Sequence, residues 1–206
     1  GFADIGLLDG LISLLKTLSK EIADSFESKL IDSGVWKAFV SKLKNLDSQS
    51  EISPYGLVQS LQFVSSLISL ATSNLAVIAG DSELLKVIVH MLREETLEKI
   101  VNWPSTRNGG SLGVQELVNS IISVLHQLQT TPLTDNIAGI VQQVMYKEEV
   151  IRHCIGCLNY LSREHYVAPI DILSRLVIGS GHFARQYLKC GGLDATLVKN
   201  LLDPTN

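Results

Sequence analysis

The sequence predicts an all-α fold, a right-handed solenoid of divergent helical repeats. Three observations predict it. Apolar residues recur at steps of three and four along nearly every segment, the period of an amphipathic helix. The helical stretches are joined by short breaks, so no helix can bury its apolar face alone and neighbours must stack. Glycine breaks recur in the same surroundings. Phe26 is followed by Gly34, Val35, Ala38 and Lys42, and Phe183 by Gly191, Gly192, Ala195 and Lys199, at identical offsets.

The first stretch, residues 4–30, carries Leu7, Leu8, Leu11, Leu14, Leu15, Leu18 and Ile22 on one helical face. Ser33 and Gly34 break the chain before a second stripe of Val35, Trp36, Phe39, Val40, Leu43 and Leu46. A polar loop comes next, and Pro54 sets the following helix start, where its missing N–H costs nothing. Leu57, Leu61, Val64, Leu67, Ile68 and Ala71 mark that helix, with its serines turned to solvent or to a neighbour. The next run breaks at Gly80, and Asp81 or Ser82 can cap the helix after the break. Pro104, Gly109, Gly110 and Gly113 mark residues 104–113 as a flexible linker inside a single domain, 1–206. Beyond it come segments over 114–129, 137–146, 147–164, 167–179 and 183–202, with a break at 130–136 between the first two. Residues 167–173 are the one short strand candidate, weakened by Pro169.

The glycine breaks have a physical reason. A helix ending at Gly enters the left-handed cap without a Cβ clash, and the chain can turn at once into the next helix. Gly34, Gly80, Gly191 and Gly192 are the predicted structural turns, with further breaks at Gly6 and near Ile137. Apolar helix, small break, apolar helix is the junction of an armadillo or HEAT repeat, whose period is about 40–47 residues. The spacing here is irregular, which makes the repeats divergent. An irregular helical bundle is the alternative.

Composition narrows the function. Of 206 residues, 46% are hydrophobic and only 18% charged, so much of each element must be buried. The net charge is −4 and lysines and arginines stand singly, which excludes the basic stripe that nucleic acid demands. No run of eighteen or more apolar residues predicts a membrane span. Three cysteines without framework spacing point to a reducing, cytoplasmic setting. The chain opens on Gly1-Phe2-Ala3 without an initiator Met and reads as a fragment of a larger protein.

No catalytic set emerges. Cys154 and Cys157 form a C-x-x-C, but zinc would require two further ligands and no second pair lies nearby in sequence. Redox chemistry would place the motif at a helix start, whereas here it lies within a helical pattern. Both cysteines read as buried, unmetallated and unpaired. The five histidines are dispersed, and residues 109–113 lack the Lys-Ser/Thr ending of a phosphate loop. Trp36 is followed four residues on by Val40, where armadillo proteins that read nuclear-import signals carry Asn. No cofactor is expected.

Residues 167–202, VAPIDILSRLVIGSGHFARQYLKCGGLDATLVKNLL, resemble the carboxy-terminal armadillo region of Fused-family serine/threonine kinases. The Ser- and Leu-rich earlier helices and the NWP…GG stretch from Asn102 are similar to the plant members. The kinase motifs themselves are absent, so the resemblance implies a non-catalytic scaffold tail. It implies roles linked to microtubules: cytokinesis at the phragmoplast and kinesin binding in plants, Hedgehog signalling and motile cilia in animals. The implied partner is a kinesin or its coiled coil, and the implied location is cytoplasmic and cytoskeletal. It assigns no site residue.

Two functions stand as expectations. The first is a scaffold that binds a partner protein segment and turns over no substrate. The alternative is a helical metal- or redox-active domain built on Cys154 and Cys157. Leu197, Leu201 and Leu202, near the end of the chain, are the candidate interaction surface, for a partner or for self-association.

Overall fold

The computed structural model describes residues 54–70, 72–104 and 108–193, together with single positions between Gly10 and Leu43. Every regular element among them is helical. Among the described residues from Pro54 onward, nine α-helices run in order: α1 (Pro54–Leu70), α2 (Thr72–Gly80), α3 (Ser82–His90), α4 (Glu94–Val101), α5 (Gly110–Thr130), α6 (Asp135–Lys147), α7 (Val150–Cys157), α8 (Val167–Gly179) and α9 (Gly181–Lys189). Two 3-10 turns, Leu158–Tyr160 and Arg163–His165, join α7 to α8.

The longest helix, α5, holds the centre. Val114, Leu117, Val118, Ile121, Ile122, Leu125 and Leu128 are buried at steps of three and four. Val124 is buried as well, which widens the stripe. A face that broad serves several neighbours, and α5 packs on α1, α4 and α8. Ser65 of α1 donates to Gln127 of α5 at 3.1 Å, so this serine faces its neighbour. Ser60 is fully buried and donates to the Gly56 carbonyl at 2.7 Å, which satisfies its hydroxyl within its own helix. On the other side, α6 packs on α2, α3 and α7. Last, α7 touches α4, α6, α8 and α9. One continuous apolar core runs from Val40 and Leu43 through to Phe183.

Local chemistry sets the helix ends. Asp81 is the N-cap of α3, accepting from the Leu84 amide at 3.1 Å. Ser180 caps α9 by accepting from the His182 amide at 3.3 Å. In α4, Glu94 and Glu95 stand in the first turn and Lys99 in the last, as the helix dipole favours.

Beyond Lys189 the chain makes a Schellman turn. Gly191 takes φ 73°, its amide bonds the Leu188 carbonyl, and the Gly192 amide bonds that of Tyr187. Gly192 is buried beneath the Tyr187 ring, where a Cβ would overlap the ring. The Tyr187 hydroxyl donates to the Gly192 carbonyl at 2.5 Å. The equivalent point after α6 is Glu149, left-handed at φ 51° although it is not glycine. Side-chain identity therefore hid a turn of the same hand.

Several sequence expectations are corrected. Gly80 does not take a left-handed cap: it closes α2 within the helix, and Asp81 turns the chain with φ −88°. The break expected near Ile137 is found just ahead of it, at Thr131–Thr134 between α5 and α6. Residues 167–173 are the start of α8 and not a strand. Pro169 falls in its first turn, where no helical hydrogen bond is lost. The expected linker at 104–113 gives its second half to α5, which begins at Gly110. Leu14, read as part of a buried stripe, is 46% exposed. Gly34, Leu197, Leu201 and Leu202 lie outside the described residues.

Candidate interaction site

The two cysteines of the C-x-x-C sit on the inner face of α7, and both are fully buried and free. The Cys157 Sγ donates to the Cys154 carbonyl at 3.1 Å, a bond within the helix. Burial raises the Cys154 thiol well above its ordinary range and pushes Cys157 up to about 12. A thiol held protonated is neither a nucleophile nor a metal ligand. Cys190 is only half-buried. A thiol reagent added to the native protein is therefore expected to modify Cys190 first. Cys154 and Cys157 should react only as the chain unfolds, so a timed titration should give one early thiol and two late ones. Fast modification of all three would place α7 at the surface.

Polar side chains gather where α3 and the turn after it meet the α6–α7 junction. His90 Nε2 lies 2.5 Å from Glu148 Oε2, and the Arg93 guanidinium lies 3.9 Å from the same oxygen. A carboxylate only accepts, so Nε2 carries the proton and donates to Glu148. Arg93 Nη2 also lies 2.8 Å from His90 Nε2, so guanidinium, imidazole and carboxylate converge on one point. His153 lies in this field on α7. Burial lowers its pKa from the ordinary 6.5, and Arg93 lowers it further. Folding therefore favours neutral His153, and this contribution is complete above about pH 6.5 and fades as pH falls below that. Stability measured by urea unfolding should decline from pH 7 toward pH 5, and His153→Gln should flatten that decline. An unchanged slope in the variant would assign the pH dependence to other groups.

A second polar set links α5 to α8. Asp171 Oδ2 accepts from Arg175 Nε at 2.7 Å and lies 3.1 Å from His126 Nε2. The Arg175 bond holds the Asp171 carboxyl below its ordinary range, and His126 helps. A His–Asp pair is the orienting half of a hydrolytic triad, but among the described residues no Ser, Thr or Cys side chain bonds the His126 ring.

Beside this pair a groove of about 310 Å³ opens between the end of α5, α6 and the α8–α9 junction. Its walls are mainly apolar and include Leu128, Leu133, Val141, Met145, Leu176 and Phe183. Arg175, Gln129 and Ser180 add polar atoms. Gln129 Nε2 approaches the Met145 sulfur at 3.7 Å, while its Oε1 is buried without a hydrogen-bond partner. Next to Met145, the Tyr146 ring meets Phe183 edge-on at 5.7 Å, and its carbonyl accepts from Gln186 at 3.1 Å. Periodicity marked the apolar walls as core. The groove itself needs helices from two distant stretches, and no sequence signal located it.

Among the described residues no group of three or more His, Cys, Asp and Glu side chains is placed to hold a metal ion. No helix there is long and apolar enough to cross a membrane. No protein-family model, curated protein or solved structure matches the chain.

Proposed function

We propose that this chain is a non-catalytic interaction array of the armadillo/HEAT kind, binding a segment of a partner protein. One observation supports the reading: two runs of helices contact one another in sequence order. The helices α1, α5 and α8 pack in sequence order, α5 lying against both others. Their partners keep the same order, α2 against α6, and α6 against α9 through Tyr146. The leading helices begin at Pro54, Gly110 and Val167, roughly 55 residues apart, against the ~40–47 of ordinary armadillo and HEAT repeats. The excess is supplied by α3–α4 and by α7 with its two 3-10 turns. In this register the left-handed turns at Glu149 and Gly191 follow α6 and α9, the corresponding helices of the second run, whereas the sequence alone placed such turns between the second and third helices of a repeat.

Stacked pairs offer continuous surface to an extended or helical segment, and that is the general use of such arrays. The high thiol pKa of Cys154 and Cys157 weighs against the metal or redox alternative. The resemblance to Fused-kinase tails supports a cytoplasmic, microtubule-linked setting, with a kinesin coiled coil as the first partner to try. The test is direct binding. Fluorescence anisotropy is read for labelled kinesin coiled-coil segments and for peptides selected from a randomised display library. Saturable binding in the micromolar range supports the array. No binding in either set, or near-stoichiometric zinc in the purified chain, overturns it.

A further inference from the structure

We infer that the groove between α6 and the α8–α9 junction seats one apolar side chain of a partner segment, with a neighbouring Asp or Glu of that segment on Arg175. The inference rests on the interaction reading above and names its site.

The groove has the volume for one large side chain, and its lining is mainly apolar. Leu128, Met145 and Phe183 are nearly buried, while half-buried Leu133 and Ala138 leave apolar surface for an entering Leu or Phe. The polar atoms fix which segment enters. Asp171 takes Nε of Arg175, and among the described residues no other bond engages the guanidinium, so its two terminal nitrogens can take a carboxylate from outside. A Leu or Phe and a carboxylate in close succession describe a short acidic–apolar peptide. They do not describe a small neutral metabolite.

The groove can be narrowed from its own lining. Gly179 lines it, a Cβ there meets nothing within 4 Å, and its φ lies outside the left-handed region. Gly179→Leu fills the space with no backbone strain.

The chain has two methionines, and these provide the readout. Met145 lines the groove, while Met91 is buried at the end of α3. The full chain, labelled with 13C at the methionine methyls, is titrated with acetyl-Leu-Glu-amide and acetyl-Phe-Glu-amide. The Met145 methyl resonance should move in a saturable way while that of Met91 stays still. Gly179→Leu should abolish the movement. Replacing Glu by Lys in the dipeptide should weaken binding about tenfold, and Arg175→Gln should remove that preference. The charge comparison uses unmodified protein, so it stands even where Gly179→Leu lowers stability. A still Met145, a shift that survives Gly179→Leu, or equal affinity for the Glu and Lys dipeptides overturns the assignment. If library peptides bind while Met145 stays still, the groove is wrong and the array reading stands. If nothing binds at all, both fall.

Discussion

Truncating Ile121 to alanine is expected to destabilise the chain by about 2–5 kcal/mol, through lost apolar transfer and the cavity left behind. Ile121 is 0% exposed and lies midway along α5, the helix that packs on α1, α4 and α8. Neighbours held on several sides relax only partly into the space, which is what makes a cavity costly. Urea denaturation should show a lower midpoint with an unchanged slope, since the surface exposed on unfolding is nearly the same. Leu112 is the control on the same helix. It is 73% exposed, so Leu112→Ala should change stability by no more than about 0.5 kcal/mol. Equal effects at the two positions would mean that α5 is not the centre of the core.

The helical class was legible because periodicity is local. Leu117, Ile121 and Leu125 declare a buried stripe within a few turns of sequence, and the structure buries all three. The Gly191 turn was legible for a similar reason: glycine is the residue that enters φ 73° freely, and the bonds it makes are local. Glu149 was not, because a charged residue gives no warning of a left-handed conformation. Residues 167–173 misled because β-branched Val167, Ile170 and Ile172 alternate loosely. Proline in a first turn also looks like a break when the helix start is unknown. The groove was the least legible feature. Leu128, Met145 and Phe183 stand far apart in sequence and meet only through the packing of α5, α6, α8 and α9. Their apolar character announced burial and said nothing of an opening.

The tight passage before α5 sets up the other large effect, Gly109→Ala, expected to cost about 1–3 kcal/mol through overpacking. Gly109 is buried between two left-handed residues, Asn108 at φ 57° and Gly110 at φ 75°. Its amide bonds the Pro104 carbonyl at 3.3 Å. A Cβ at this position would overlap the backbone carbonyl of Trp103. A flexible side chain could swing away, but a peptide group moves only with its chain, so the turn itself must shift. Four residues on, Gly113 meets the same limit against the Asn108 carbonyl, so the start of α5 is fixed from two sides. Gly139 provides the contrast. It lies exposed within α6, a Cβ there meets nothing within 4 Å, and its φ is not left-handed. Gly139→Ala should therefore stabilise the chain by about 0.5–1 kcal/mol, the helix preference of alanine over glycine. Thermal unfolding of the two variants side by side should move the midpoint in opposite directions. A Gly109→Ala midpoint at or above that of the parent chain would mean that the approach of Gly109 to Trp103 yields at no cost, and that close packing does not set where α5 begins.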